Sequence, residues 1–424
     1  MDLKEEDILG ADIGRHWYYR AKAAALRRAV GGLLPTRILD VGAGSGFFSR
    51  HLLANGARSA LCVDVGYPGS RDEMVGGKPM LFRRDCSETD CDLVLMMDVL
   101  EHVENDVELV RHYTTTDMTP DQVHELGQQE VKRIRAEMEA LIKETGFTGS
   151  FAEFQTMLRT DPRFYVTTRQ ALLEKASEIA KRVDDQLPRH FGRLPRLPYG
   201  VRPVPAEIEE NYTTGRYFEG SPSQGIAGGL MINTSHLDQR PLYELPALAL
   251  HEGVPGHHLQ IALSQELTDV PAFRRNAYVT AFVEGWGLYS EQLGDEMGIY
   301  RDNYERFGKL SYEMWRACRL VADTGIHWKG WSVEQARACF TDNTALSPTN
   351  IQNELMRYVS WPGQALAYKI GELKIMELRH RAEKALGDKF DERAFHDRVL
   401  LAGPLPLDIL ESRVNEWIAA QQKP

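Results

Sequence analysis

The sequence is poor in the features that would assign it to a specialised class of protein. It has five cysteines, at positions 62, 86, 91, 318 and 339, with no C-x-x-C pair among them. An odd, scattered set is typical of reduced thiols in a cytoplasmic protein rather than of a disulfide framework or a zinc knuckle. No stretch approaches the ~20 apolar residues that cross a membrane, and the acidic N-terminus lacks the apolar core of a signal peptide. We therefore expect a cytoplasmic protein without a membrane partner.

The chain also lacks an excess of positive charge. It carries 61 acidic residues against 50 lysines and arginines, a formal net charge of −11. That balance argues against a general nucleic-acid or anionic-membrane binder. The 424 residues are 43% apolar and 26% charged, ordinary values for a globular protein with two or three domains. Composition leaves the oligomeric state open.

The pattern of apolar and charged residues changes near residue 110, which predicts two domains, 1–110 and 111–424. The first part alternates short apolar runs with helical stretches, as an α/β unit of parallel strands does. The second part is long, charged and mainly helical. Thr119, Pro120 and Gln122 there form a typical helix start, and Gly229 to Asn233 reads as the strand of a small sheet. The predicted strands of the first part are Arg37 to Gly42, Ala60 to Asp64, Pro79 to Phe82 and Asp92 to Met97.

A glycine-rich turn follows the first predicted strand. Asp40 is followed by Gly42, Gly44 and Gly46, and a predicted helix begins at Phe47. Glycines at such a turn allow the backbone to approach a ligand closely, with the helix N–H groups facing it. Asp64, at the end of the second strand, is suitably placed to accept hydrogen bonds from a ribose. A structural strand-to-helix turn is the common alternative for glycines alone.

The order of these motifs resembles class I S-adenosylmethionine-dependent methyltransferases over residues 15–110. Asp85-Cys86 falls where that family contacts adenine, and Asp98 to Val103 is similar to its motif after strand four. The resemblance implies a half-Rossmann unit of about four parallel strands. It also implies that Asp40, Gly42, Gly44, Gly46, Asp64 and Asp85 bind S-adenosylmethionine. Because the resemblance covers only about half of that family's domain, methyltransferase activity is not expected.

The segment from His251 to His258 concentrates acid, base and metal-ligand chemistry. A zinc hydrolase needs imidazoles to hold the metal and a carboxylate nearby to take a proton from the attacking water. In the H-E-x-x-H form the histidines lie four residues apart on one helical face, but here that fourth position is Pro255. On a straight helix His257 would lie ~240° around from His251, on the wrong face, and His258 ~10.5 Å along.

Pro255 predicts that the helix is distorted between the histidines. It has no N–H for the carbonyl of His251 and its ring clashes there, while Gly253 and Gly256 give the backbone freedom. A two-residue bulge would bring His257 to the position of the second ligand, so we favour it over His258. Glu252, beside the first ligand, is the natural general base.

From His112 onward the chain resembles the bacterial domain of unknown function 885, a family related to the gluzincin metallopeptidases. The resemblance implies zinc bound by His251, His257 and Glu284, with Glu252 as base and a peptide or small amide as substrate. It makes Tyr368, Tyr358 and His327 candidate oxyanion donors and the strand around Met231 a substrate-binding edge. Members carry a longer N-terminal region, so we expect this domain to be truncated. The stretches that carry it are Thr114 to Pro120, His251 to Gln260, Val283 to Gly287, Asp323 to His327 and Pro362 to Gly371.

These patterns together predict a half-Rossmann α/β unit followed by a mainly α-helical metallopeptidase-like domain with a small sheet. The leading functional hypothesis is a zinc-dependent hydrolase. The alternatives are an S-adenosylmethionine-binding module and an inactive fusion of two partial domains. Arg316, Arg319 and Arg357 are candidates for holding a substrate carboxylate, although exposed helical arginines are the commoner case.

Overall fold

A computed structural model describes residues 19, 23, 26, 36–64, 66–85, 91–95, 106–275 and 277–422. The chain divides into two compact units, Met1–Glu104 and Asn105–Pro424, and each is described by itself. The division falls slightly before the predicted boundary because Leu109, Val110 and Tyr113 pack into the hydrophobic core of the second unit.

The first unit contains a mixed five-stranded sheet in the order β3-β4-β2-β1-β5. Four strands run parallel, and β3 pairs antiparallel with β4. The predicted strands correspond to β1, β2, β4 and β5, and β5 lies at a sheet edge. The elements are β1 Arg37–Val41, α1 Phe47–Ala54, β2 Ser59–Val63, β3 Arg71–Val75, β4 Lys78–Arg83 and β5 Leu93–Leu95.

The strand β3 is the main departure from the predicted alternation of strands and helices. The chain returns from the end of β2 to the start of β4 through this strand, within the sheet, rather than through a helix across its face. β3 was missed because it lies at the edge and is mostly exposed, so it has no apolar alternation to reveal it. The sheet is thus small and mixed, and the half-Rossmann interpretation stays a prediction. The motif Asp98 to Val103 and Cys86 lie outside the described residues.

The second unit is mostly helical with a small sheet, as predicted. The long helix α3 begins at a capping box in which Thr119 and Gln122 satisfy each other's backbone N–H groups. Within the described residues no helix combines the length and apolarity that crossing a membrane requires. The helices are α2 Asp106–Thr114, α3 Pro120–Glu144, α4 Phe151–Thr160, α5 Arg169–His190, α6 Leu245–Glu252, α7 His257–Gln265, α8 Ala272–Arg275, α9 Thr280–Glu296, α10 Asn303–His327, α11 Val333–Asn343, α12 Pro348–Ser360, α13 Ala367–Leu386, α14 Glu392–Leu400 and α15 Leu407–Gln421.

The small sheet has three strands rather than the single strand that the sequence predicted. They are β6 Tyr199–Pro203, β7 Gly215–Phe218 and β8 Gly228–Ile232. The order is β6-β8-β7, with β8 parallel to β6 and antiparallel to β7. β8 is central and buried throughout, whereas β7 is an edge strand.

Helices α9 and α13 approach each other closely because both carry glycine at the crossing. A Cβ on Gly371 would lie 1.9 Å from the carbonyl oxygen of Ala281, and one on Gly285 would lie 2.5 Å from the Cα of Gly371. Side chains at these two positions would push the helices apart. The contact fixes α9, which carries Glu284, against α13, which carries Tyr368.

Two of the cysteines form a disulfide, which corrects the expectation of reduced thiols. Cys318 on α10 and Cys339 on α11 are bonded, with Cα atoms 5.7 Å apart. The two cysteines are 21 positions apart in the sequence, and the packing of α10 against α11 brings their side chains together. Among the described cysteines, Cys62 and Cys91 are free thiols.

Candidate metal centre

The helix is interrupted between His251 and His257, as Pro255 predicts. α6 ends at Glu252 and α7 begins at His257. The N–H of Gly256 donates to the carbonyl of Leu250 at 2.9 Å, six residues earlier instead of four. The break therefore absorbs two extra residues. Trp286 of α9 donates its indole N–H to the carbonyl of Pro255 at 2.8 Å, which ties the loop to that helix.

Glycine is required at two positions around this break. A Cβ on Gly256 would lie 1.9 Å from the carbonyl oxygen of His251 and 2.4 Å from that of Leu250. A Cβ on Gly287, in the facing helix α9, would lie 2.7 Å from the imidazole ring of His251. Only glycine leaves room for the bulge at the first position and for the imidazole at the second.

The structure brings His251, His257 and Glu284 together in what we call the His-His-Glu cluster. One ligand atom from each residue lies within 4.8 Å of the others. The Oε2 atom of Glu284 is 3.6 Å from Nε2 of His251 and 3.3 Å from Nε2 of His257. All three side chains are buried. Two imidazole nitrogens and one carboxylate oxygen form a donor set that suits zinc.

His258, the alternative ligand, faces away from the cluster. Its Nε2 bonds to the carbonyl of Leu197 at 2.9 Å and its Nδ1 to the hydroxyl of Tyr217 at 3.2 Å. Burial lowers the pKa of His258 to about 4. Both ring nitrogens are thus occupied by structural hydrogen bonds, which leaves His257 as the second histidine of the cluster.

A second layer of charged groups holds His251 in place. Its Nδ1–H donates to Oε1 of Glu291 at 2.8 Å, and Arg316 contacts the same oxygen at 3.0 Å. Burial alone would lower the pKa of His251, but its hydrogen bonds with Glu284 and Glu291 outweigh that effect and raise the pKa to about 9. Burial likewise opposes ionisation of Glu284, yet His257 and His251 hold its pKa well below the usual range. Outer carboxylates of this kind fix the ring orientation of metal-binding histidines.

Glu252 projects toward the cavity that the cluster lines. Its Oε2 accepts a hydrogen bond from the backbone N–H of Tyr217 in β7 at 2.7 Å. The edge strand at this site is therefore β7, and the expectation that the strand around Met231 forms the edge was wrong. Met231 lies in β8, whose backbone pairs with strands on both sides.

The cavity has a volume of about 310 Å³ and is lined both by the His-His-Glu cluster and by three arginines. Tyr368 lines it, with its hydroxyl 3.1 Å from Nη2 of Arg357. His327 lies elsewhere, near the end of α10, where its Nε2 bonds to the carbonyl of Tyr358 at 2.9 Å. The lining includes His251, Glu252, His257, Glu284, the β7 residues Gly215, Arg216 and Tyr217, the tyrosines 278, 312 and 368, and Arg316, Arg319 and Arg357.

Tyr278 is a site residue that the sequence did not reveal. Its hydroxyl donates to Oε1 of Glu284 at 2.9 Å, although the residue is largely exposed. It lies in the loop before α9, outside any motif. The tyrosine was missed because it reaches the carboxylate from a loop with no helical periodicity relative to Glu284.

The predicted cofactor residues of the first unit form a turn whose polar groups bond to one another. Gly42, Gly44 and Gly46 all have positive φ angles. The N–H of Gly44 donates to Asp64 at 3.0 Å. Asp40 accepts from the hydroxyl of Ser49 at 2.7 Å, and Asp85 is exposed. Their role toward S-adenosylmethionine stays a prediction, which a saturation-binding measurement on the intact chain would test.

Comparison with known proteins places the second unit in a family. Residues 107–414 match the family described as "Bacterial protein of unknown function (DUF885)". No curated protein matches the sequence. Among the solved structures that are similar to this chain are two of which it spans just over half the length.

The first is described as "the putative lipoprotein from Colwellia psychrerythraea". It is 36% identical to this chain, with a TM-score of 0.72, over 74% of this chain and 55% of its own. The second is "a putative lipoprotein of unknown function from Shewanella oneidensis", 20% identical, with a TM-score of 0.61, over 72% of this chain and 58% of its own. At that identity the second likeness shows the fold alone. The family match covers most of the sequence, and the chain belongs to the DUF885 family of bacterial proteins.

Proposed function

We propose that the protein is a zinc-dependent hydrolase of the metallopeptidase type, which cleaves a peptide or related amide bond. The observation that carries the proposal is the convergence of His251, His257 and Glu284 in a cavity that Glu252 also lines. A relationship to the gluzincins, implied by the resemblance to the DUF885 family, belongs to the same proposal.

The donor set fits zinc in its number and its surroundings. Two histidines and one carboxylate are the ligands of a catalytic site that keeps one position open. The cluster lines the cavity, so an open position would face a substrate. Glu291 supports His251 from behind, as outer carboxylates do for metal-binding histidines. Bound zinc would supply the electrophile and lower the pKa of water to ~7.

Four features of the chain would act on the attacking water or on the substrate: Glu252, Tyr278, Tyr368 and the edge of β7. Glu252 is the base that takes the proton from the attacking water, and the N–H of Tyr217 orients its carboxylate. The hydroxyls of Tyr278 and Tyr368 reach the cavity and are candidates to donate to the developing oxyanion. The free edge of β7 offers main-chain groups at Gly215, to which an extended peptide would add as a further strand.

We also propose that the protein matures in an oxidising compartment rather than in the cytoplasm. The disulfide between Cys318 and Cys339 supports this, because such bonds are rare where glutathione keeps thiols reduced. The descriptions of the two similar structures as lipoproteins point the same way. Fractionation of the producing cells, followed by thiol counting on the denatured protein, tests the compartment. Recovery of the protein in the cytoplasmic fraction, with Cys318 and Cys339 both reduced, would contradict maturation in an oxidising compartment.

Metal analysis of the purified protein tests the hydrolase proposal. We expect about one zinc per chain after reconstitution, a loss of zinc in Glu284→Ala, and retention in the control Glu125→Ala, which changes an exposed glutamate on α3. Hydrolysis of a peptide library should follow zinc content. Absence of zinc from the reconstituted wild-type protein would overturn the proposal.

A further inference from the structure

Three arginines form what we call the arginine end of the cavity. Arg316 and Arg319 lie on α10, and Arg357 lies on α12. Arg316 and Arg319 are only 4% and 2% exposed, which is unusual for guanidinium groups on helices. The commoner case of solvated helical arginines therefore does not apply to these two.

The protein does not fill the hydrogen-bonding capacity of the two buried arginines, Arg316 and Arg319. Arg319 donates from Nε to the hydroxyl of Tyr358 and from Nη2 to Glu354. In the part of the chain that the structure describes, its buried Nη1 has no acceptor, and neither does Nε of Arg316. A buried donor without an acceptor costs about 1–3 kcal/mol. An anion in the cavity would supply what the protein does not.

The charges at this end do not balance either. Glu354 is the carboxylate shared by Arg319, at 2.8 Å, and by Arg357, at 3.6 Å. Burial opposes its ionisation, but the two arginines outweigh that effect and lower the pKa of Glu354. Arg316 is paired separately with Glu291. Two guanidinium groups thus share one carboxylate, which leaves an excess of one positive charge.

Tyr368 joins the arginine end to the His-His-Glu cluster. The centroid of its ring lies 6.4 Å from that of His251, and Cζ of Arg319 lies 4.2 Å from it on the ring face. Its hydroxyl is 3.1 Å from Nη2 of Arg357. One residue of a peptide advances the chain by about 3.8 Å. A group one or two residues beyond the scissile bond would therefore reach the arginines.

The geometry points to recognition of a free C-terminal α-carboxylate by Arg357 and Arg319, one or two residues from the bond that is cleaved. The inference rests on the proposed function and makes the protein a carboxypeptidase-type exopeptidase. A carboxylate is planar and singly charged, so it matches both the fork of a guanidinium and the excess of one charge. Arg357, with its side chain 31% exposed, presents the accessible guanidinium.

Binding of matched peptides tests the inference separately from catalysis. A panel of N-acetyl tripeptides, each made as the free acid and as the C-terminal amide, is titrated into the intact chain by calorimetry. We expect the acids to bind at least about tenfold more tightly than the amides. Arg357→Gln should remove that preference, Arg357→Lys should restore part of it, and the exposed control Arg189→Gln should leave it unchanged.

The outcomes separate the two proposals. Equal affinity for acids and amides, or a preference that survives Arg357→Gln, would overturn carboxylate recognition. A preference of the expected size without hydrolysis by the zinc-reconstituted protein would support the carboxylate site and overturn the peptidase activity. Hydrolysis of acids from their C-terminus, with the amides at least about tenfold slower in kcat/KM, would support both.

Discussion

The glycine-rich turn of the first unit and the His-Glu segment of the second use their polar groups in opposite ways. In the turn, Gly44 donates to Asp64 and accepts from the hydroxyl of Tyr67, and Asp40 accepts from Ser49. In the segment, the Nε2 atoms of His251 and His257 both face the carboxylate of Glu284.

The difference concerns which groups remain for an outside partner. Polar groups that satisfy one another hold a turn in shape and need nothing further. Imidazoles that converge on one carboxylate must share a proton or bind a cation, because their lone pairs and charges meet in a buried space.

Glu252→Gln should separate catalysis from metal binding. We expect the rate of peptide hydrolysis to fall by about 10²–10⁴-fold, because an amide is unable to take the proton. Zinc content should stay the same, since Glu252 is not in the cluster and the amide oxygen still accepts from Tyr217. Kinetics and metal analysis of the same samples check this. The control Asp64→Asn, in the glycine-rich turn, should change neither the hydrolysis rate nor the zinc content. A loss of zinc in Glu252→Gln would contradict the role of Glu252 as a base that does not bind the metal.

Gly256→Ala should be far more damaging than Gly46→Ala. The new Cβ at Gly256 meets two backbone carbonyl oxygens, which are unable to move without undoing the bulge. We expect a loss of more than about 3 kcal/mol in the free energy of unfolding, together with loss of zinc.

At Gly46 the Cβ meets side-chain atoms only, the flexible end of Met80 and the ring of Phe82, and the φ of +73° adds backbone strain. That strain is about 1–2 kcal/mol. Urea denaturation of both variants gives the comparison. Similar losses in the two would show that the bulge is more adaptable than its contacts indicate.

Glu291→Gln should weaken zinc binding without abolishing it. The glutamine loses the charge that orients and polarises His251, so we expect a dissociation constant about 10–100-fold higher. Competition with a chelator measures it. The equivalent change in the turn, Ser49→Ala, removes the partner of Asp40 and should lower stability by roughly 1–3 kcal/mol with no effect on zinc.

Asp323 and Asp40, one buried carboxyl group in each unit, should make stability depend on pH in the same direction. Burial raises the pKa of Asp323 from 3.8 to about 7, although a hydrogen bond from Gly363 opposes the rise. Burial raises the pKa of Asp40 from 3.8 to about 6, although a hydrogen bond from Ser49 opposes it. The folded state holds the proton more tightly, so the stabilisation is complete below pH 3.8 and is lost as pH rises through the folded value.

We expect each group to lower the free energy of unfolding by at most about 1.4 kcal/mol per pH unit within its window. Asp323→Asn and Asp40→Asn should each make the free energy of unfolding depend less on pH. For Asp323→Asn this effect should extend up to about pH 7. Urea denaturation across the pH range measures this, and a profile that steepens in either variant would contradict the assignment.

The features that the sequence predicted well depend on neighbours along the chain. Thr119 and Gln122 lie within one helical turn, so the sequence alone predicts the helix start. Pro255 removes a hydrogen bond at a known offset, which makes the interruption after Glu252 predictable. The same local argument placed His257, rather than His258, beside His251 and Glu284, and its role as a metal ligand stays a prediction.

The features that were missed depend on packing between distant elements. Tyr278 reaches Glu284 from a loop, and Arg316 meets Glu291 across two helices. The bond between Cys318 and Cys339 requires α10 and α11 to pack in one register. β7 was missed because its residues are only partly buried. Spacing along the sequence contains none of this information.

The two residues absorbed between His251 and His257 have a consequence for how such proteins are recognised. A search for a fixed spacing requires the two histidines to be four residues apart. The hydrogen bond from Gly256 to Leu250 shows that the backbone can accommodate two additional residues between the histidines and still bring both imidazoles to the same carboxylate. A gapped pattern, with a histidine and glutamate, a glycine and proline in the interval and a second histidine six positions on, would retrieve chains that the fixed pattern passes over.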